Sequence, residues 1–179
     1  MLPDGYALRP LALADSAPLA EAYLRNQDHL RRWEPRRPDE FFTEAGQRAA
    51  IGGRLEQVEL GLYDCWVLWH GTDVVGTANL QNIVRGAMQG ADVGYWVDQG
   101  HVRKGLATAA LEHLVQRARD LGLHRVGAST RLDNRPSQGV LLRCGFEQYG
   151  LIPQFLYLDG DWRDSVLFNL VLHDGPPRG

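Results

Sequence analysis

The sequence predicts a single mixed α/β domain in which a mostly antiparallel, twisted sheet is flanked by helices. The chain has 179 residues, of which 44% are hydrophobic, and this suits one buried core. Short apolar runs separated by turn residues predict a meander of strands in the middle of the chain. A strand–helix–strand–helix order and a closing hairpin follow, unlike the regular alternation of a doubly wound sheet. We assign residues 1–174 to this domain and 175–179 to a disordered tail.

The individual elements are predicted from the period of the apolar residues and from the capping and turn residues between them. The predicted strands cover residues 6–9, 65–69, 74–79, 91–97, 125–130, 155–158 and 166–171. The predicted helices cover residues 16–25, 43–58, 104–121 and 136–143. The third helix has the strongest pattern, because Leu111, Leu114 and Ala118 recur at helical spacing. Residues 29–35 are predicted to form a loop.

Composition narrows the class of protein. A net charge of -3 argues against non-specific binding to nucleic acid or membrane. Two cysteines, Cys65 and Cys144, are too few for a disulfide framework and favour a reducing compartment. Neither a signal peptide nor an apolar run of about 20 residues is visible. We therefore expect a soluble, cytoplasmic protein.

The segment between the fourth predicted strand and the strongest helix has the features of a phosphate-binding loop. It consists of Val102, Arg103, Lys104, Gly105, Leu106 and Ala107. A helix start exposes unpaired N–H groups and the positive end of the helix dipole, which suits an anionic phosphate. Gly105 lets the backbone approach a ligand closely. The P-loop and dinucleotide motifs are absent, and the loop alone is equally compatible with an exposed helix start.

A second element makes the phosphate interpretation more specific. Asn134 caps a short helix that tolerates Pro136 in its first turn and carries Ser137. Gly145 is a suitable stop for this helix. By itself the segment predicts only a well-formed helix. Because it follows the loop in the chain, the two together support the phosphate interpretation.

Together these segments resemble the GNAT superfamily of acetyl-CoA-dependent N-acetyltransferases, and within it the RimJ/RimL-type ribosomal-protein N-terminal acetyltransferases. The matching central residues are Gly94, Tyr95, Trp96, Val97, residues 103–107, Asn134, Ser137, Gly145 and Phe146. Residues 30–35 and 160–164 point to the ribosomal-protein branch. The resemblance covers nearly the whole chain.

The resemblance implies a sheet splayed into a V, with acetyl-CoA in the cleft and its pantetheine arm along residues 91–97. The cofactor-binding residues that it implies are Tyr95, Trp96, Val97, Val102, Arg103, Lys104, Gly105, Leu106, Ala107, Thr108, Asn134, Ser137 and Arg143. The family's loop usually begins with Gln or Arg followed by glycine, whereas this chain has Val102 and Arg103. We expect binding to survive, because backbone N–H groups hold the pyrophosphate.

The resemblance also implies two catalytic residues, at positions where relatives carry a carboxylate and a serine. Acyl transfer needs a neutral amine, and an α-amine titrates near 8, so modest help from a base suffices. Asp92 is the candidate base, acting through water, with a solvated strand carboxylate as the alternative. Ser137 is the candidate proton donor to the thiolate, or else only a cofactor contact. Leu141 occupies the position where many family members carry a tyrosine that acts as the general acid.

The acceptor is less well defined by the sequence. The candidate acceptor-binding residues are Trp33, Glu34, Tyr95, Phe155 and Trp162, and ordinary aromatic packing is the alternative for each. A protein N-terminus is the leading acceptor, a small amine is the second, and a non-catalytic CoA-binding module is the rival from another class. No histidine pattern implies a metal.

The remaining expectations concern partners. The basic cluster at Arg31, Arg32, Arg36 and Arg37 is either a solvated face or a contact for an acidic protein or ribosomal RNA. Otherwise nucleic acid and membrane are not expected as partners. A homodimer is compatible with the prevalence of two-fold assemblies.

Overall fold

One seven-stranded sheet organises the fold in a computed structural model that describes residues 1–176. The strands are β1 (Tyr6–Pro10), β2 (Asp64–His70), β3 (Asp73–Val84), β4 (Gly90–Val97), β5 (Arg125–Arg131), β6 (Glu147–Leu158) and β7 (Asp161–Val171). Their order across the sheet is β1-β2-β3-β4-β5-β7-β6. Only β4 and β5 pair in parallel, and the other neighbours are antiparallel. The predicted mixed, mostly antiparallel architecture is confirmed.

The helices flank this sheet. They are α1 (Ser16–Arg25), α2 (Gln27–Leu30), α3 (Glu44–Glu59), α4 (Leu106–Asp120) and α5 (Arg135–Arg143). Thr43 caps α3 by accepting a hydrogen bond from the N–H of Gly46, and Asn134 caps α5 by accepting from that of Ser137. The loop predicted at 29–35 overlaps the one-turn helix α2. None of the helices within residues 1–176 is long and apolar enough to cross a membrane.

Four predicted boundaries are wrong by two residues or more. Strand β3 ends at Val84 and not at residue 79, and β7 begins at Asp161 and not at residue 166. The other two, in α4 and β6, have identifiable physical reasons. Helix α4 begins at Leu106 and not at residue 104, because Gly105 adopts a left-handed conformation (φ 78°). Strand β6 has twelve residues, although only 155–158 were predicted. It is an edge strand, mostly exposed, and its pairing with β7 shifts register twice. Such a strand lacks the alternation of buried and exposed residues by which sequence patterns are recognised.

Both faces of the sheet are covered. Val93 packs in a cluster with α4 and α5, whereas Trp96 packs in a cluster with α1 and α3. Because side chains alternate along a strand, these two residues of β4 lie on opposite faces. The end of β4 is therefore held between two hydrophobic layers.

The end of the chain is described only in part. The predicted disordered tail covers 175–179, of which 177–179 lie outside the described residues. The N–H of Gly175 donates to His173 Nδ1 at 3.1 Å. The domain boundary at residue 174 stays a prediction.

Candidate active site

The sheet splits between its two parallel strands. β4 and β5 pair from Gly90–Arg125 to Asp92–Gly127 and then diverge. Beyond that point β4 continues to pair with β3, and β5 continues to pair with β7. Within residues 1–176, the β5-facing edge of β4 from Val93 onward therefore has no strand partner. An extended ligand can bind to such an edge as an added strand would.

The split opens into a cleft of about 980 Å³, at the upper end of the usual range for small-molecule sites of about 300–1,000 Å³. Its walls come from β4, the loop before α4, β5, α5 and the segment after α2. The predicted residues that line it are Trp33, Glu34, Tyr95, Trp96, Val97, Val102, Arg103, Gly105, Leu106, Ala107, Thr108, Asn134, Ser137 and Arg143. Most of the predicted cofactor set is thus brought together around one space.

The loop before α4 turns its backbone toward the cleft. Arg103 and Gly105 both have positive φ, 61° and 78° respectively. A Cβ atom added to Gly105 would meet no atom within 4 Å, so this glycine faces open space. Alternating left-handed residues of this kind point successive N–H groups to one side and form an anion-binding concavity.

The N–H groups of this loop are free. Within residues 1–176, the backbone N–H groups from Arg103 to Thr108 donate no hydrogen bond to the protein, and the first regular bond of α4 runs from Ala109 to Gly105. Helix starts leave such donors unsatisfied unless a side chain, water or a ligand accepts them. Here the donors lie beside the cleft and at the positive end of a fifteen-residue helix. This arrangement suits a diphosphate.

A buried carboxylate that the sequence did not single out anchors the segment before the loop. Asp98 Oδ2 accepts from Arg25 Nε at 2.8 Å and from Asn26 Nδ2 at 2.7 Å. Its Oδ1 accepts from the N–H of Gly100 at 2.7 Å. Burial alone would raise the pKa of Asp98, but these hydrogen bonds and the Arg25 charge outweigh it and lower the pKa. The carboxylate therefore ties the end of α1 to the entry of the loop.

Lys104 does not line the cleft. Its Nζ donates to the hydroxyl of Tyr6 at 3.1 Å, and this hydroxyl lies 2.9 Å from Nδ1 of His101. Burial and the neighbouring Lys104 charge lower the pKa of His101. The side chain predicted to bind the cofactor is thus engaged beside the loop, while the N–H of Lys104 remains available.

Helix α5 brings Ser137 to the opposite wall. Asn134 Oδ1 accepts from the N–H of Ser137 at 3.2 Å, which fixes the first turn of the helix. The Ser137 hydroxyl lies 3.1 Å from the Tyr95 hydroxyl on β4. Burial raises the pKa of Tyr95 to about 12. Two hydroxyl groups therefore meet where β4 and α5 approach each other.

Another part of the cleft wall is formed by the segment after α2. Two guanidinium groups lie near the Trp33 ring, with Arg32 at 5.0 Å and Arg131 at 5.5 Å from its centroid. The Glu34 carboxylate lies 3.9 Å from Arg37 and, within residues 1–176, accepts no hydrogen bond. Burial raises the pKa of Glu34, although Arg37 and Arg54 oppose this effect. A partly desolvated carboxylate in a cleft is a candidate for proton transfer.

Besides Lys104, three predicted residues do not line the cleft. Asp92 is exposed and accepts from Asn82 Nδ2 at 3.0 Å, so its position does not support a base role inside the cleft. Phe155 and Trp162 are also exposed, and the Trp162 ring packs on Tyr157 with centroids 5.6 Å apart. Leu156 and Leu158 line the cleft instead. Because the pairing of β6 shifts register between residues 152 and 156, the sequence pattern does not show which of its side chains face the cleft.

Thr130 is a further residue that sequence patterns did not reveal. It lines the cleft on β5 and is 7% exposed, and its hydroxyl has no partner within residues 1–176. A buried hydroxyl without a partner is unfavourable, so a bound ligand would stabilise this wall. Within the same residues, no group of three or more His, Cys, Asp or Glu side chains is placed to hold a metal.

The split sheet and the free N–H groups define a class of protein, namely one that binds an extended ligand with a diphosphate end inside its sheet. The chain belongs to the acetyltransferase (GNAT) domain family, whose pattern matches residues 6–147. The predicted family is confirmed, and with it an acetyl-CoA-dependent N-acetyltransferase as the class of enzyme and acetyl-CoA as the cofactor.

The comparisons with individual proteins agree. Ribosomal protein uS5-alanine N-acetyltransferase of Escherichia coli is 32% identical over 177 residues, which covers 97% of this chain and 91% of that protein. The ribosomal-protein-S5-alanine acetyltransferase of Vibrio fischeri superposes with a TM-score of 0.93 at 28% identity, over 99% and 98% of the two chains. Mycobacterium smegmatis RimJ, in complex with CoA-disulfide, gives a TM-score of 0.88 at 31% identity, over 93% and 81%.

Proposed function

We propose that this enzyme acetylates the N-terminal α-amine of a protein or peptide, as the ribosomal-protein acetyltransferases do. The observation that carries the proposal is the cleft itself, whose lining includes both the loop with free N–H groups and a partly buried carboxylate. The similarity to the uS5-alanine enzyme over nearly the whole chain favours a protein N-terminus over a small amine.

In this proposal the donor binds through the backbone. The N–H groups from Arg103 to Thr108 hold the pyrophosphate, and the free edge of β4 holds the pantetheine arm. Val102 is compatible with this arrangement, because side-chain identity matters little where the backbone donates. Arg103 and Arg143, which both line the cleft, add positive charge beside the phosphates.

The reaction is a direct transfer in a ternary complex. The neutral amine attacks the thioester carbonyl carbon, a C–N bond forms, and the C–S bond breaks with its electron pair moving to sulfur. Glu34 accepts the surplus proton of the nitrogen, and Ser137 donates one to the thiolate. Glu34 returns a proton to Ser137 through water. One proton thus moves from nitrogen to sulfur, and the enzyme is unchanged.

Glu34 replaces Asp92 as the base in this proposal. Its side chain lines the cleft, whereas Asp92 does not. The raised pKa of Glu34 brings it closer to that of the amine and makes it a better proton acceptor than an ordinary glutamate.

Glu34→Gln is expected to lower kcat by about a hundredfold, the lower end of the effect of a general base. The active form of Glu34 is the carboxylate, so wild-type kcat should fall as the pH drops through a pKa above the ordinary glutamate value. This acid limb should vanish in the variant, as measured by initial rates across pH. Glu40→Gln, at an exposed glutamate on the same segment, is the control. An unchanged acid limb in Glu34→Gln would refute the assignment.

The acceptor is tested by thiol release from acetyl-CoA with a panel of amines. Peptides that begin with alanine or serine should be acetylated, and the same peptides with a blocked α-amine and a free lysine should not. Faster turnover of a polyamine or a free amino acid would favour the small-amine alternative. CoA binding without turnover of any acceptor would favour the non-catalytic module.

The setting of the reaction follows from its acceptor. A ribosomal-protein substrate would place the enzyme in the cytoplasm, and the free thiols of Cys65 and Cys144 are compatible with a reducing compartment. Contact with the ribosome and a homodimer stay predictions.

A further inference from the structure

We propose that Tyr95 is a positioning residue for acetyl transfer, which holds the Ser137 hydroxyl as a donor to the departing CoA thiolate. The inference rests on the proposed function, in which Ser137 protonates that sulfur. In this inference the Tyr95 hydroxyl, on the opposite wall of the cleft, supports the Ser137 hydroxyl as it stabilises the departing thiolate.

The geometry joins the two walls through one residue. The Tyr95 hydroxyl lies 3.1 Å from Ser137 Oγ and 3.4 Å from the Ser137 carbonyl oxygen. Within residues 1–176 these are its only hydrogen-bond partners. Both side chains line the cleft, Tyr95 from β4 and Ser137 from α5. Asn134 fixes the N–H of Ser137 from the other side.

Either hydroxyl can donate in this contact, and the proposal assigns the donor role to Tyr95. Burial raises its pKa to about 12, so the hydroxyl stays protonated at physiological pH and can donate to Ser137 Oγ. When Tyr95 donates, the Ser137 proton is left free to point elsewhere. The open direction is the cleft, where the proposed function places the thioester sulfur.

Helix α5 offers no substitute for this interaction. Ser137 is its one hydroxyl-bearing residue, and Leu141, one turn later, is buried in the core cluster. As the C–S bond breaks, charge develops on sulfur, and Ser137 takes on negative character as it donates its proton. A hydrogen bond from Tyr95 to Oγ stabilises that charge, and charge-assisted bonds are stronger than neutral ones.

The first test is the pKa of the thiol of CoA bound to the enzyme, followed by the ultraviolet absorbance of the thiolate. Donation from Ser137 should lower this pKa below that of free CoA. Tyr95→Phe should raise it by about one unit relative to wild type, the shift expected for the loss of one hydrogen bond to a charged group. Tyr157→Phe, at an exposed tyrosine outside the cleft, should leave it unchanged.

The second test is a double-mutant cycle on turnover. Tyr95→Phe should lower kcat about tenfold with little change in KM for acetyl-CoA, and Ser137→Ala should lower it further. The double variant should match Ser137→Ala, because Tyr95 acts only through Ser137. Additive losses, or an effect confined to KM, would overturn the inference.

The two levels of failure are distinguishable. If wild-type protein binds no CoA, the proposed function fails and this inference fails with it. If CoA binds and Tyr95→Phe leaves the thiol pKa unchanged, only the role of Tyr95 is refuted. Melting temperatures of the variants separate either outcome from a loss of folded protein.

Discussion

Gly105→Glu is expected to weaken CoA binding by at least about a hundredfold, equivalent to about 2.7 kcal/mol. The added side chain would enter the open space beside the loop, where no protein atom lies within 4 Å. Its carboxylate would then stand among the free N–H groups, in the place of the pyrophosphate, and would repel any phosphate that approaches. Isothermal titration calorimetry with CoA measures the effect directly.

The backbone conformation requires a matched control. Gly105 has φ 78°, so any side chain there also adds strain. Gly61 has a similar φ of 71°, faces equally open space and does not line the cleft. Gly61→Glu should therefore lower the melting temperature to a similar extent and leave CoA binding intact. Equal affinity of Gly105→Glu and wild type would show that the loop does not hold the phosphates.

Local patterns were sufficient to predict the two helix starts on which the proposed donor site is built. The loop before α4 and the capped start of α5 each depend on residues close in sequence, and Gly105, Asn134 and Ser137 lie where the sequence placed them. A helix start exposes N–H groups whatever the rest of the chain does. The sequence could therefore predict these helix starts, and with them a candidate phosphate site, without knowledge of the strand order.

The acceptor side depends on information that is not local. The side of the sheet on which Asp92 lies depends on which layer covers each face of β4. The side on which Phe155 lies depends on register shifts in an edge strand. Likewise, the Tyr95–Ser137 bond joins residues 42 positions apart, and those of Asp98 to Arg25 and Asn26 span 73 and 72. Such pairs arise only from the assembled sheet, so periodicity and capping rules do not reveal them.

The Asp98 network predicts the largest effect on stability. Asp98→Ala is expected to lower the free energy of unfolding by about 3 kcal/mol, because it leaves the side chains of Arg25 and Asn26 and the N–H of Gly100 without their acceptor. Urea denaturation at neutral pH measures the difference. Asp98→Asn, which keeps the size but removes the charge, provides a second variant if the alanine protein does not fold.

The control and the pH dependence make this prediction specific. The control residue is Asp120, which is half-exposed and lies 3.8 Å from Arg117. Asp120→Ala should lower the free energy of unfolding by less than about 1 kcal/mol. Since folding lowers the pKa of Asp98, its contribution is complete above the unfolded-state value of about 3.9 and is lost as the pH falls toward the lower folded value. The difference in the free energy of unfolding between wild type and Asp98→Ala should therefore become smaller in acid.

Because Asp98 holds the entry of the loop before α4, CoA affinity should fall with Asp98→Ala and not with Asp120→Ala. A variant that loses stability but binds CoA normally would show that the network supports the fold without shaping the loop.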